Sequence, residues 1–495
     1  MIEREVKMAA PAVFCLPQFG DLDASIAREV ADRAALSTVY YDTSDVRLAR
    51  WGCSLRYRRG QGWTLKLPQE SDGRLLVRAE HEFAGSAQYP PEAALDLLTA
   101  YLRGAQLAAV ARLRTVRNRV VLADAGGGRL ATITDDLVSV LNGRKIGLRF
   151  REVEVELGDD VSDSLIECLL ARLREAGAGE IDPTPKVVRA LGARASQPSE
   201  VDIIAVDGDA NAADIVRNAL ASSVIQLIRH DAGIRLGRDP DCVHRARVAL
   251  RRMRSHLKTF APFFEERWAR ELRDAAAGLA SQLGTVRDAD VLIQRLRSDA
   301  AALGLAAPAR RTLVRQFQKR RATALSCLHE TMRRQSYVAL LKRFVDAARD
   351  PKLAPTTPAQ PAAVTLLPLV AADWEKLRKA VDALSPAEVD DDALHKIRIR
   401  AKRCRYGAEA LTPVAGKEAK SFVRKTAALQ EILGTHHDST VERQALEEFR
   451  TRAKIAFDAG QLAAAAALAG SHSRQRWRDA WRSLSRKRHS KWLAP

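Results

Sequence analysis

The chain has no run of about 20 consecutive apolar residues among its 495, so nothing in it reads as a membrane-spanning helix. The Ala-rich stretch Leu462–Ala469 is far too short. The charged opening has no apolar leader, so a secretory signal peptide is not expected. Six cysteines, at 15, 53, 168, 242, 327 and 404, are scattered without any Cys-x-x-Cys. That spacing argues against zinc and predicts a reducing, cytoplasmic setting. Gly-x-Ser-x-Gly and Gly-x-x-x-x-Gly-Lys are missing too, which removes the hydrolase nucleophile elbow and the P-loop.

Acidic residues are scarce in one part only. Residues 1–200 hold 27 Lys+Arg and 28 Asp+Glu, a balance of −1. The remaining 53 and 33, from totals of 80 and 61, leave +20 in residues 201–495. A segment so charged repels itself, and a polyanionic partner is the usual compensation. Nucleic acid, an anionic membrane and inorganic polyphosphate all satisfy that requirement.

What is present begins at the first residues. In Met-Ile-Glu-Arg-Glu-Val-Lys, Glu3, Glu5 and Lys7 alternate with Arg4 and Val6, so in a strand they share one face. An exposed strand could carry that row for solubility alone. A second acidic strand, Glu152, Glu154 and Glu156, lies far along the chain. If the sheet closes on itself, the two become neighbours. Carboxylates gathered on one inner surface suit Mg²⁺ or Mn²⁺.

Between them run short extended segments with charge at period two: Ser54-Leu-Arg-Tyr-Arg-Arg with Arg56 and Arg58, Trp63-Thr-Leu-Lys-Leu-Pro with Lys66, and Leu76-Val-Arg-Ala-Glu-His-Glu with Arg78, Glu80 and Glu82. Arg112, Arg114, Arg117 and Arg119 open an antiparallel pair turning at Gly126-Gly-Gly. Helices are expected over Asp21–Ala35, Leu95–Leu102 and Ser164–Ala176. Ordinary half-buried strands point apolar residues inward. A sandwich with charged outer faces would look similar strand by strand, but a closed barrel with a wet, charged interior explains the mixed signs better, with acids for metal and Arg and Lys for phosphate oxygens.

The opening Glu3-x-Glu5-x-Lys7, Tyr-Tyr-Asp-Thr (40–43), Ser-Leu-Arg-Tyr-Arg (54–58), Trp-Thr-Leu-Lys-Leu-Pro (63–68) and the late Glu-Val-Glu-Val-Glu resemble the CYTH family, the triphosphate tunnel metalloenzymes. The resemblance covers roughly residues 1–195. It implies an α+β domain built on an eight-stranded antiparallel tunnel that hydrolyses a linear triphosphate with a divalent metal. Glu3, Glu5, Glu152, Glu154 and Glu156 then look like metal holders. Arg56, Arg58, Lys66, Arg78, Arg112, Arg114 and Arg117 look like phosphate ligands, and Lys186 and Arg189 resemble the family's late Lys-x-x-Arg. Lys7 and Lys66 are the catalytic candidates, Lys7 by orienting the attacking water or holding a terminal phosphate. Glu80, Glu82 and Asp135 fit the tunnel's remaining acidic positions.

Residues 196–209 read as a linker punctuated by Pro198 and Gly208. Beyond it the pattern becomes long helices of Leu, Ala and Arg, broken by prolines 351, 355, 358, 361 and 368. The two sides of that break, about 210–350 and 366–490, repeat each other. Val243-His-Arg-Ala-Arg-Val-Ala-Leu-Arg-Arg-Met-Arg aligns with Leu394-His-Lys-Ile-Arg-Ile-Arg-Ala-Lys-Arg-Cys-Arg at an offset of 151. Gln282-Leu-Gly-Thr-Val-Arg-Asp aligns with Ile432-Leu-Gly-Thr-His-His-Asp at 150. His244, Arg247, Arg251 and Arg254 match His395, Arg398, Lys402 and Arg405, and steps of three, four and three confine each set to an arc of roughly 80° on a helix. Like charges stacked so disfavour an isolated helix, and their recurrence behind a histidine points to an anion site.

These stripes resemble the CHAD domain over about 210–495. The resemblance implies two four-helix-bundle-like halves whose basic faces line a channel for inorganic polyphosphate, with Arg252 and Arg403 joining the stripes. His244 and His395 lack a partner at helical ligand spacing, so phosphate hydrogen bonding is expected of them rather than metal binding. Trp477, Trp481 and Trp492 among basic residues suit base stacking or the packing of a terminal helix, and the second is carried forward. The expectation is a cytoplasmic, metal-dependent triphosphatase of tripolyphosphate or polyphosphate ends, tied to polyphosphate or its granules by the helical half. The rivals are a binding protein without turnover, an enzyme of thiamine triphosphate or ATP, an adenylate cyclase, and a nonspecific nucleic-acid binder.

Overall fold

The computed structural model describes residues 2–69, 75–159, 161–305, 307–355, 360–384, 389–449, 451 and 455–493. The chain divides into two compact units, Met1–Glu200 and Val201–Pro495. The division falls within the segment 196–209 expected as a linker. Glu200 accepts from Trp51 Nε1 at 2.8 Å and from Arg103, which fastens 196–200 to the first unit. On the other side Val201 is buried, and Ile204 exchanges two bonds with the Asn218 amide.

The first unit runs β1 (Ile2–Ala9), β2 (Arg28–Asp42), α1 (Arg47–Arg50), β3 (Ser54–Arg58), β4 (Gly62–Pro68), β5 (Leu76–Phe83), α2 (Glu92–Leu97), α3 (Thr99–Leu102), β6 (Ala108–Ala123), β7 (Arg129–Asn142), β8 (Lys145–Leu157), α4 (Asp163–Glu175) and α5 (Lys186–Leu191). Its eight strands close into an antiparallel barrel in the order β1-β5-β4-β3-β2-β6-β7-β8. The helix expected over Asp21–Ala35 is corrected: from Arg28 this segment is strand, paired with β6 from Arg28↔Ala123 to Asp42↔Ala108. Its Ala, Arg and Glu residues favour helix in isolation, but a long ladder outweighs fractions of a kcal/mol of propensity.

Two faces emerge from the alternation. Val6, Met8, Leu122, Ile133, Val153 and Val155 point outward into an apolar core closed by Leu165, Leu169 and Leu173 of α4, whose first turn is capped by Ser162. The other face points into the barrel, and it is polar. Burial of the outward face against α4 therefore fixes the register of the inward face, because a slip by one residue would exchange the two.

The second unit contains α6 (Ala212–Leu236), α7 (Pro240–Thr259), α8 (Glu266–Ala302), α9 (Ala307–Arg333), α10 (Gln335–Arg349), α11 (Ala362–Thr365), α12 (Leu367–Asp382), α13 (Asp391–Ala410), α14 (Thr412–Glu447), α15 (Ala456–Leu484) and α16 (Lys487–Ser490). α14 kinks at Gly416, whose φ is 55°. The repeat seen in the sequence is a repeat of elements, with α7 answering α13 and α8 answering α14. Both stripe helices start from an aspartate cap, Asp239 and Asp390. Of the prolines in the break, Pro358 lies outside the described residues. Trp477 is buried, Trp481 packs 5.3 Å from Trp374, and Trp492 packs 5.7 Å from Phe422, so these rings serve helix packing.

Candidate functional site

The inward face of the barrel has two contiguous walls. β7, β8 and β1 carry Asp136, then Glu152, Glu154 and Glu156, then Glu3 and Glu5, with Lys7 among them. β3, β4 and β5 carry Arg56 and Arg58, Lys66 and Arg78, with Glu80 as a carboxylate on that side. Glu3 lies opposite Arg78, and Glu5 opposite Glu156. Carboxylates thus line one wall and cations the other.

Contacts follow this division. Lys66 Nζ bonds Glu3 at 2.6 and 2.5 Å and lies 3.0 Å from Glu80. Arg78 grips Glu5, with Glu3 at 3.8 Å. Arg117, reaching in from β6, clamps Asp136 with two bonds of 2.7 and 2.6 Å and touches Glu154 at 3.4 Å. Lys7 bonds Glu154, with Glu5 at 3.6 Å and Glu152 at 3.8 Å. Lys186, at the start of α5, reaches Asp136, Glu152 and Glu154 at 2.9, 2.7 and 2.8 Å. Arg189, one turn on, bonds Asp182 at 2.6 Å and lies 3.5 Å from Glu152.

Titration behaviour follows the charge around each group. Burial pushes the Glu154 carboxyl up, but Lys186, Lys7 and Arg117 outweigh it and hold Glu154 well below the carboxylate range. Burial likewise opposes charge on Lys7, yet Glu154 and Glu5 raise it above its ordinary value, so it stays an ammonium. On the cationic wall Glu5 and Glu3 raise Arg78 against the effect of burial, while its neighbours go the other way. Burial, then Arg56 and Arg117, bring Arg58 down to about 10. Burial, then Arg56 and Arg78, lower Lys66 against the pull of Glu3 and Glu5. Burial would raise Tyr40, but Arg56, Lys186 and Arg58 lower its hydroxyl. This wall has more positive charge than its neighbours neutralise.

Three expected tunnel residues are displaced. Arg112 and Arg114 are exposed and lie on the opposite face of β6 from Arg117, because their even positions point outward where the odd ones point in. Asp135 also points outward, bonded to Arg151 at 2.7 Å. Its neighbour Asp136 takes the inward position, and sequence reasoning missed it. The signal was available: Thr132, Thr134 and Asp136 alternate with the apolar Ala131 and Ile133 that join the outer core. Tyr40, buried on the inward face beside Arg56, Arg58 and Lys186, was not singled out either. Glu82 lies on the inward face of β5 near its end and is exposed.

The carboxylate wall suits a divalent cation by donor chemistry, since all its ligands are hard oxygens. Among the described residues, no three acidic, histidine or cysteine side chains converge into a preformed cage. Mg²⁺ ordinarily binds through one or two carboxylates together with substrate phosphates and water, and that mode fits a spread wall facing cations.

In the helical unit the two stripes converge across α7 and α13. Arg398 faces Arg247, and Lys402 faces Arg398, Arg251 and Arg247. Burial and these three cations bring the Lys402 amine down to about 6. The Leu-Gly-Thr elements explain part of the convergence. A Cβ at Gly284 would stand 3.4 Å from Arg247 Nε, and one at Gly434 would stand 3.5 Å from Arg398 Nη2, so each glycine lets a guanidinium lie against the next helix. Asp288 bonds Arg247 at 3.0 Å, and Asp438 is the matching neighbour of Arg398. The His437 ring lies 4.7 Å from that of His395, tilted by 38°, as Arg287 neighbours His244. Burial, then Arg398 and His395, hold His437 at about 4. His436 instead fills the buried position of Val286 and bonds Gly470 and Asp391.

Three stripe candidates behave differently from the rest. Arg252 pairs with Glu409 at 3.1 Å, and Arg405 pairs with the same carboxylate at 3.1 Å. Both guanidinium groups lie against Tyr406. Arg403 lies on the other flank of α13, 3.8 Å from Asp373; one residue beyond Lys402 on a helix is a turn of about 100° away. Arg254 is part-buried at its place in the α7 stripe.

Comparison with known proteins gives the same division. Residues 1–187 match the model of the CYTH domain and residues 218–447 that of the CHAD domain. An uncharacterized protein of Mycobacterium tuberculosis is 32% identical over 456 residues, 87% of this chain and 85% of that protein. Among solved structures, PptA from Streptomyces chartreusis is 21% identical with a TM-score of 0.46, covering 55% of this chain and 100% of that one. The CHAD domain from the plant Ricinus communis is 23% identical with a TM-score of 0.43, covering 60% and 96%. CYTH domains are triphosphate tunnel enzymes, cyclases or triphosphatases, generally dependent on a metal. With its closed eight-stranded tunnel followed by a duplicated basic helical unit, the chain belongs to the proteins that join a CYTH domain to a CHAD domain.

Proposed function

We propose that the barrel hydrolyses inorganic triphosphate, or the ends of polyphosphate, with Mg²⁺ or Mn²⁺, and that the helical unit binds long-chain polyphosphate. The observation that carries the first part is the pair of opposed walls inside one closed barrel. Arg56, Arg58, Lys66 and Arg78 offer charge-assisted hydrogen bonds to phosphate oxygens. Glu3, Glu5, Glu152, Glu154 and Glu156 would hold the metal, with Asp136 beside them. Such an ion, when bound, neutralises phosphate charge and lowers the pKa of a coordinated water. Lys7 stays charged among Glu5, Glu152 and Glu154, so it orients and neutralises rather than taking a proton. Phosphoryl transfer needs mainly this positioning and charge stabilisation.

Inorganic rather than nucleoside triphosphate is favoured by the inner face. Trp63, Tyr41 and Tyr57 cluster with one another on the outward side of their strands, and Tyr40 is hemmed in by Leu113, Val138 and Val187. That leaves little for a base to stack on. The helical unit has the excess charge and the convergent stripes, which suits a long anion that would also hold the protein at cytoplasmic polyphosphate granules. A panel of pyrophosphate, tripolyphosphate, long polyphosphate, ATP and thiamine triphosphate with each metal tests the assignment. Tripolyphosphate should turn over fastest, with the activity lost in Glu5→Gln; faster turnover of ATP or thiamine triphosphate would refute it.

A further inference from the structure

The duplication allows each basic position to be compared with its own counterpart, and one position disagrees. At an offset of 151, Arg252 answers Arg403 and Lys258 answers Glu409. The two junctions are built alike: the C-terminal end of one stripe helix meets a mid-helix arginine of the other. In the first, Glu409 neutralises Arg252 at 3.1 Å. In the second, Lys258 stands beside Arg403, and it is Arg403, then burial and Arg273, that depresses its amine. One junction is an ion pair and its twin is a pair of like charges.

That second junction borders a cavity of about 630 Å³ lined by Lys258, Lys376, Lys379, Lys396, Arg400 and Arg403. Its volume falls within the range of ordinary ligand sites. The carboxylate in its lining, Asp373, is buried and already accepts from Thr259 at 2.7 Å, with Arg403 and Lys376 each 3.8 Å away. Lys396 is shared with Asp392 at 2.6 Å. Among the described residues no ion pair holds Lys258, Lys379 or Arg400. Asp373, shared with Arg403 and Lys376, acts on Lys258 from a distance, and Glu375 on Lys379, so cations outnumber carboxylates around the cavity. Holding like charges together is unfavourable, and the first junction demonstrates that a glutamate fits this geometry.

We propose that this cavity, on the flank of α13 opposite the His395–Arg398–Lys402 stripe, is a second binding site for condensed phosphate, independent of the stripe. It rests on the polyphosphate reading of the helical unit, and the test separates the two. In EDTA, the full chain is acetylated with an amine reagent, and rates are read at each lysine by mass spectrometry with tripolyphosphate or long-chain polyphosphate added. At about four times the dissociation constant, Lys258, Lys376 and Lys379 should react roughly fivefold more slowly. Lys402 reports the stripe separately. Protection at the cavity should persist in the R251Q/R398Q variant, and in Lys258→Glu it should fall at Lys376 and Lys379 while Lys402 stays protected. Since Lys258→Glu copies the Arg252–Glu409 pair, its melting temperature should hold or rise, and Lys258→Gln gives the neutral control. Protection by either phosphate supports the site, and protection by the long chain alone assigns it to an interior stretch. Absence of protection at concentrations that shield Lys402, or its loss together with the stripe, overturns the proposal.

Discussion

Lys402 gives the sharpest test of the helical unit, because its amine is held at about 6 rather than the ordinary 10.5 by burial and by Arg398, Arg251 and Arg247. At pH 7 the free site is then 1/(1 + 10), about 0.1, protonated. A bound polyanion supplies the negative charge that the site lacks and restores the ammonium, so binding should take up about 0.9 proton at pH 7. The dissociation constant should weaken nearly tenfold for each pH unit above about 6, which is about 1.4 kcal/mol per unit. His395 lies below its ordinary value and His437 at about 4, so their protonation adds affinity only at lower pH. Lys402→Arg cannot lose its proton and should bind roughly tenfold tighter than wild type at pH 7, with the difference vanishing by about pH 5. The assay is calorimetry of long-chain polyphosphate in EDTA, whose interior phosphates do not titrate in this range, in buffers of different ionisation enthalpy. The folding side has the opposite sign. Unfolded Lys402 binds the proton that native Lys402 rejects, so the unliganded unit should gain stability with pH between about 6 and 10.5. Heats independent of buffer, with a flat affinity from pH 6.5 to about 8.5, would refute the reasoning.

The barrel supports three further predictions. Arg112→Ala and Arg114→Ala, on the outward face of β6, should change stability by no more than about 0.5 kcal/mol and leave tripolyphosphate turnover intact, whereas Arg58→Ala should lower kcat/KM by about 10²-fold; equal losses would mean the inward register is wrong. Glu154→Ala removes the carboxylate nearest Lys7 and one of the three around Lys186, and should destabilise the barrel by up to about 3–5 kcal/mol in chemical denaturation. Because the folded pKa of Glu154 is depressed, its contribution is complete above its ordinary 4.5 and is lost as pH falls below that value; a Glu154→Gln barrel should show a shallower acid transition by circular dichroism. In the helical unit, Gly434→Leu puts a side chain where Arg398 lies and should weaken polyphosphate binding about tenfold without unfolding α14, as fluorescence titration would measure.

The strands and stripes were legible because their signals are local. Charge at period two along Glu3–Lys7 and Glu152–Glu156, and at helical spacing in two copies 151 residues apart, survives without any knowledge of contacts. The directions of those side chains were less legible. Arg112, Arg114 and Asp135 carry the right charge on the wrong face, and only the apolar residues that α4 covers decide which parity is inward. The segment Arg28–Ala35 misled for a related reason: its composition speaks for helix, while its partner strand lies some 90 residues away in β6.

By itself, then, the sequence determined the division of charge between a balanced barrel and a basic helical half, the identity of both families, and most of the residues that carry charge into each site. Tertiary structure decided how those charges meet. Closure of the barrel sorted one mixed population into a carboxylate wall and a cation wall, brought Asp136 in, and placed Lys186 from a helix beyond the last strand against three carboxylates. In the helical half it put Lys402 among three arginines and Lys258, rather than a glutamate, beside Arg403. Coulomb energies depend on distance and burial, and neither is written in the order of the residues.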